Sequence, residues 1–194
     1  LAAIDLGSNS FRLEIGRFHS GHIQRVEYLK ETVRQGNGLD EQKNLSAAAM
    51  QRGWDCLARF AERLHGFQKH QVRAVATQTL REAVNRDVFL ERAQQILGFA
   101  IEVVSGQEEA RLIYQGVSRL LPQSDEKRLV VDIGGRSTEM ILGQGYEARR
   151  MESYRLGSVA WSTRYFPKGL CSSASFKTAE IAAQAVLDEA AQAY

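Results

Sequence analysis

The chain has 194 residues, a formal net charge of +2, 44% hydrophobic and 25% charged residues, which suits a globular fold of one large or two small domains and gives no basic footprint for DNA or a membrane surface. Its two cysteines, Cys56 and Cys171, and four histidines, His19, His22, His65 and His70, show neither a disulfide framework nor metal-ligand spacing. No stretch approaches the ~20 apolar residues of a membrane span, and the opening Leu1-Ala-Ala-Ile-Asp reads as a strand rather than a signal peptide, so a reducing cytoplasm is the expected setting.

In chain order, residues 2–6 form a short apolar run, followed by a polar turn and an alternating run over 10–15: strand, tight turn, strand. Residues 23–34 alternate and predict a further strand, and Gln35-Gly-Asn-Gly-Leu-Asp predicts a loop. Ser46 opens a helical pattern with Met50, Trp54, Leu57, Phe60, Ala61 and Leu64 on one face, ended by Gly66. Val72-Arg-Ala-Val-Ala-Thr predicts a short buried strand. Thr79 to Ala83 begin a helical turn, residues 87–97 form an amphipathic helix closed by Gly98, and Ile101-Glu-Val-Val is another strand. A helix then runs from about Gln107 to Leu121. Pro122-Gln-Ser-Asp-Glu-Lys is polar and carries one of two prolines, so it is the predicted linker: a first lobe over 1–121, a linker over 122–128 and a second lobe over 129–194. The second lobe predicts strands at 129–133, 138–143 and 150–156 and helices at 158–166 and 176–194. It is shorter than a full copy of the first, and the chain is expected to be part of a longer protein.

An internal repeat stands out at an offset of 127 residues. Residues 2–15 and 129–142 align so that Asp5 matches Asp132, Gly7 matches Gly134 and Ser10 matches Ser137, with apolar positions matching on both sides. Glycine at 7 and 134 permits positive φ and removes a Cβ from the turn. Successive backbone N–H groups in such a turn, Gly7-Ser8-Asn9-Ser10 and Gly134-Gly135-Arg136-Ser137-Thr138, can converge on an anion. An aspartate at the end of the preceding strand is placed to hold Mg²⁺, usually through water. Neither copy has the spacing of a Walker loop or a dinucleotide fingerprint. Two matched copies imply duplicated lobes facing one ligand.

Outside the repeat, Ser105-Gly-Gln-Glu108 is a capping box, which gives Glu108 a structural task and leaves Glu109 unexplained. The helix dipole keeps a first-turn carboxylate ionised, so Glu109 is either a solvated helix residue or a base for attacking water. Arg81, at a strand-to-helix junction, either meets phosphate or caps a surface. Glu139 shares a strand face with Ser137 and can assist Asp132 with a metal. Of 25 basic residues, 19 are arginine, which fits bidentate phosphate grip and equally a GC-rich codon bias.

Four segments, Ala3-Ile-Asp-Leu-Gly-Ser-Asn-Ser-Phe, Val75-Ala-Thr-x-x-Leu-Arg81, Ser105-Gly-x-Glu-Glu-Ala-Arg-Leu and Val131-Asp-Ile-Gly-Gly-x-Ser-Thr-Glu139, resemble the exopolyphosphatase / guanosine pentaphosphate phosphohydrolase family, in family order and from end to end of the chain. The resemblance implies an α/β, actin-like ATPase (ribonuclease H-like) duplicated fold, two lobes of mixed sheet flanked by helices with a cleft between. It implies removal of terminal phosphate from inorganic polyphosphate, or conversion of pppGpp to ppGpp, with Mg²⁺. The family's catalytic glutamate falls on Glu109 and its first-lobe arginine on Arg81. Its metal positions fall on Asp5, Asp132 and Glu139, and its phosphate loops on Gly7–Ser10 and Gly134–Thr138. The resemblance allows a homodimer. Arg136 departs from the family, which commonly has a small residue there; the side chain either crowds the phosphate or adds a positive contact.

Two other readings belong beside this one. A kinase or chaperone-type ATPase of the same superfold would need an adenosine pocket, and the Ser105–Leu112 segment argues against it. A non-catalytic sensor of pppGpp or polyphosphate would have no need of Glu109.

Overall fold

The computed structural model describes residues 1–194, which form two compact units, Leu1–Val104 and Ser105–Tyr194. The first unit runs β1 (Ala2–Leu6), β2 (Ser10–His19), β3 (His22–Thr32), α1 (Ala47–Arg63), β4 (Val72–Ala76), α2 (Gln78–Glu82), α3 (Arg86–Leu97) and β5 (Ile101–Val103). Its five-stranded sheet has the order β3-β2-β1-β4-β5, antiparallel across β1-β2-β3 and parallel across β1-β4-β5. Alternation along β1 turns Ala2, Ile4 and Leu6 into the core, where they pack with Leu57 and Phe60 of α1 and Phe89 of α3. Ser46 caps α1 by accepting from the Ala49 N–H at 3.3 Å. Trp54 stacks on Phe89 and donates its indole N–H to the Phe89 carbonyl at 3.1 Å, which locks α1 to α3. Gly98 ends α3 in the left-handed region, as its position after the last apolar turn predicts.

The second unit runs α4 (Gly106–Leu120), β6 (Lys127–Ile133), β7 (Thr138–Gln144), β8 (Glu147–Tyr154), α5 (Ser158–Tyr165) and α6 (Ser173–Ala191), with a β6-β7-β8 antiparallel sheet. Helix α4 lays Ala110, Ile113 and Tyr114 against Val130, Ile141, Ala148 and Met151. It therefore belongs with the second unit, and the break in the chain lies before α4 rather than at the Pro122 segment. Proline and polar residues mark a solvated connection; which neighbour a helix packs on is a separate matter, decided by its apolar face.

The repeat seen in the sequence is a repeated three-stranded meander. Asp5 lies opposite Arg12 and Leu6 opposite Phe11 in one copy; Asp132 lies opposite Glu139 and Ile133 opposite Thr138 in the other, the same register at the same offset. The match extends past the aligned residues. The register slips at Ile15/Gly16 between β2 and β3, and at Leu142/Gly143 between β7 and β8, so the β-bulge is duplicated too.

Candidate active site

In both copies the glycine after the apolar strand is required by close approach. A Cβ on Gly7 would lie 2.9 Å from the Ser10 carbonyl oxygen, and one on Gly134 would lie 3.0 Å from the Ser137 carbonyl oxygen. Neither glycine is among those with positive φ, so of the two properties glycine offers here the turn uses the missing Cβ and not the freedom in φ. The second turn is closed by the Gly134 N–H donating to the Ser137 carbonyl at 2.9 Å.

The carbonyls of each turn are held from the protein side. The Ser8 carbonyl accepts from the Gly36 N–H at 2.8 Å, and the Asn9 carbonyl accepts from Val33 and Arg34 at 3.0 and 2.8 Å. In the second copy the Gly134 carbonyl accepts from Ser158 N–H at 3.0 Å, and the Gly135 carbonyl accepts from Val159 and Ala160 at 2.8 and 3.0 Å. A trans peptide directs its carbonyl and the following N–H to opposite sides. The N–H groups of Asn9 and Ser10, and of Gly135 and Arg136, are thereby turned away from those anchors. Converging N–H groups of this kind favour an anion. In the first copy the anchor is the segment after β3; in the second it is the first turn of α5. Gly157, just before α5, lies so close to the Arg136 backbone that no Cβ fits between them.

Asp5 sits at the end of β1 and accepts from Arg12 at 3.3 Å. Asp132, Glu139 and Ser153 form a row across β6, β7 and β8, directly opposite one another. The row lies on the same sheet face as Val130 and Ile141, the face that α4 covers. Glu139 is buried, with 1% of its surface exposed, and its Oε1 accepts from the Ser153 hydroxyl at 2.7 Å. Ser153 was not legible in the sequence, because only the register of β8 brings it opposite Glu139. Two carboxylates side by side are hard oxygen donors, and Mg²⁺ binds proteins through one or two carboxylates plus water and substrate phosphate. The Asp132–Glu139 pair fits that loose mode. No three His, Cys, Asp or Glu side chains gather into a ready-made cage.

Helix α4 packs on this face of the sheet. Tyr114 reaches the β7–β8 hairpin, donating its hydroxyl to the Gly145 carbonyl at 3.2 Å, while Ala110, one turn earlier, packs near Ile141. Ser105 caps the helix by accepting from the Glu108 N–H at 3.1 Å, as the sequence predicts. Arg111 takes up the Glu108 carboxylate bidentately, with both contacts at 2.7 Å, and this hydrogen bonding raises the Arg111 pKa. Glu108 thus has a structural partner in Arg111, one turn on in the same helix.

Arg81 lies in α2, whose start is fastened to the end of β1: Thr77 donates its N–H to the Leu6 carbonyl at 3.4 Å. Its guanidinium is half-buried and donates to the Val104 carbonyl at 2.7 Å and from Nε to Gln78 Oε1 at 3.2 Å. Around the first turn Ser8, Ser10, Gln35, Thr77, Gln78 and Thr79 are all buried. An apolar cavity of ≈ 310 Å³ in the second unit, lined by Val131, Ile133, Met140, Trp161 and Leu187 among others, opens on the sheet face opposite the acidic row.

A family model described as the Ppx/GppA phosphatase family matches residues 15–194. The chain belongs to the Ppx/GppA phosphatase family. It is 50% identical over 186 residues to the guanosine-5'-triphosphate,3'-diphosphate pyrophosphatase of Vibrio atlanticus, covering 96% of this chain and 37% of that protein. It is 48% identical over 193 residues to the protein of the same name from Photobacterium profundum, covering 100% of this chain and 39% of the relative. The chain thus spans about two fifths of the length of these curated relatives. Among solved structures it resembles an exopolyphosphatase-like protein, with a TM-score of 0.91 at 29% identity, over 100% of this chain and 61% of that one. It also resembles the Aquifex aeolicus PPX-GPPA enzyme, with a TM-score of 0.78 at 28% identity, over 97% and 63%. The fold is the mixed α/β fold shared with these family structures, and it contains the duplicated strand-turn-strand unit that the repeat predicts.

Proposed function

We propose that the full-length protein hydrolyses the terminal phosphoanhydride of guanosine pentaphosphate. Water attacks the terminal phosphorus, the bond from that phosphorus to the bridging oxygen breaks, and orthophosphate, ppGpp and a proton are released. The observation that carries the reading is the duplicated turn with its carbonyls tied back and Asp5 or Asp132 beside it; Glu109 lies in the first turn of the helix that packs on the second copy. The name shared by relatives about 50% identical supports pppGpp as the substrate.

Phosphoryl transfer needs positioning and neutralisation of developing charge more than covalent chemistry. The N–H groups of Gly7–Ser10 and Gly134–Thr138 supply donors to phosphate oxygens, and Arg81 adds a cationic donor. In the second unit Asp132 and Glu139 are the residues that would hold Mg²⁺, and in the first unit Asp5 is the acid at the equivalent position. When bound, the ion offsets negative charge on the phosphate chain. Glu109 orients the attacking water and accepts its proton, a role typically contributing about 10²–10⁴-fold in rate. Inorganic polyphosphate is a second substrate class, favoured by likeness to structures described as exopolyphosphatases at 29 and 30% identity.

The test is phosphate release with Mg²⁺ from equal phosphate-end concentrations of pppGpp, long-chain polyphosphate and ATP, using the intact gene product and Glu109→Ala. Release from pppGpp that drops by about 10²-fold or more in the variant, with substrate binding retained, is the expected result. Full turnover in Glu109→Ala overturns the assignment of the base. Binding without release from any substrate favours a sensor.

A further inference from the structure

We infer that Ser153 is a positioning residue, which fixes the Glu139 carboxylate for a divalent cation without adding a charge of its own. The inference rests on the reading of Asp132 and Glu139 as the cation-holding pair.

Glutamate is a long side chain with several rotatable bonds, and a buried carboxylate must be hydrogen-bonded to remain ionised. The Ser153 hydroxyl donates to Glu139 Oε1 at 2.7 Å, the short length of an O–H donor on a carboxylate. Strand register imposes the contact, because Ser153 is directly opposite Glu139 and Glu139 directly opposite Asp132. The donor is therefore held by two strands of backbone ladder and not by a mobile loop.

The duplicate row in the first unit shows what the choice of serine does. There the corresponding row is Asp5, Arg12 and Lys30 across β1, β2 and β3. Arg12 pairs with Asp5 at 3.3 Å, so two cationic residues accompany one acid. The second row has two acids and a neutral hydroxyl. A hydroxyl at position 153 gives Glu139 a donor without bringing a positive charge of its own. The same row thus carries one acid and two basic residues in one copy, and two acids and a hydroxyl in the other. Partners that orient a ligating carboxylate typically account for about 10–100-fold in metal affinity or activity.

The experiment uses the full-length protein and Mn²⁺ as a spectroscopic stand-in for a hard divalent ion. Mn²⁺ binding without substrate is read by electron paramagnetic resonance, alongside kcat, KM and thermal melting. Ser153→Ala is expected to weaken Mn²⁺ binding about 10–100-fold and to lower kcat more than it raises KM. Ser153→Thr restores the hydroxyl on a β-branched side chain suited to a strand and is expected to behave like the parent; Ser153→Val, of the same shape without the donor, is expected to match Ser153→Ala. If alanine fails to fold, the Thr/Val pair decides alone. Parent-like Mn²⁺ affinity in Ser153→Ala or Ser153→Val, when Glu139→Ala has lost it, overturns the inference, as does a threonine variant no better than valine. Undiminished Mn²⁺ binding and phosphate release in Glu139→Ala would instead remove the reading beneath it.

Discussion

Gly7 and Gly134 do the same mechanical work in two places. Each lets a strand end turn back so tightly that the next-but-two carbonyl lies where a side chain would begin. Gly134→Ala forces that carbonyl to move, and accommodating an extra methyl in a tight packing typically costs about 1–3 kcal/mol. The expected outcome is weakened phosphate binding by calorimetry with a modest fall in melting temperature, and the same from Gly7→Ala. Parent-like phosphate affinity in both variants would show that the turns do not grip the anion. Arg136 stands in the second turn, where its backbone is pressed against Gly157. Its N–H is aimed by the tied Gly135 carbonyl whatever the side chain, so Arg136→Gly is expected to alter affinity without abolishing binding. Cys56 is a buried thiol whose pKa is pushed up to about 12, first by burial and then by the charge of Glu31, so it contributes packing and no nucleophile.

At the scale of elements, α4 carries both the cap and the proposed base. Losing an N-cap hydroxyl costs about 0.5–2 kcal/mol and loosens the first turn, which here holds Glu109. Ser105→Ala is therefore expected to lower both stability and kcat. Ser172 caps α6 by accepting from the Ser175 N–H at 3.0 Å, and Ser172→Ala is expected to lower stability alone. Denaturant titration and steady-state kinetics on the two variants separate a cap that holds chemistry from one that holds only a helix; equal kinetic effects would count against the role of α4. A second element contact responds to acid. Arg59 of α1 hydrogen-bonds Glu31 of β3 and holds its carboxyl below the ordinary range, mainly through those hydrogen bonds. A depressed carboxyl pKa contributes stability above the unfolded value of about 4.3, and that contribution is lost as pH falls through the folded value. Thermal melts from neutral pH to pH 3 are expected to show a smaller acid-side loss in Glu31→Gln than in the parent.

Across the whole molecule the two units are unequally covered. Ala2, Ile4 and Leu6 of β1 are at most 5% exposed beneath their helices, whereas the matching Leu129, Val131 and Ile133 of β6 are 55, 44 and 70% exposed. The first unit's core runs continuously through β1, β2, α1, β4 and α3; the fully buried centre of the second is Ala110, Tyr114 and Ile141. Amide hydrogen exchange on this chain is expected to protect β1 and β4 more strongly than β6 and β7, since local opening follows buried apolar packing. Equal protection would contradict that ordering.

Much of this was written in the sequence. The repeat placed Asp5, Asp132 and both glycine turns; apolar spacing located the strands and α-helices to within a few residues but not the short 3-10 turns; and Ser46, Gly98 and Ser105 marked helix ends, because caps and periodicity depend on residues close in the chain. The sequence also marked Ser105 as the cap of α4, but the carboxylate of Glu108, expected to complete the capping box, pairs with Arg111 instead. Only the tertiary structure decided that Gly7 and Gly134 serve close approach, that α4 joins the second unit, that Arg12 meets Asp5, and that Ser153 meets Glu139. Each depends on which residues face one another across strands or between helix and sheet, and register is fixed by packing over the whole unit rather than by any local run of residues.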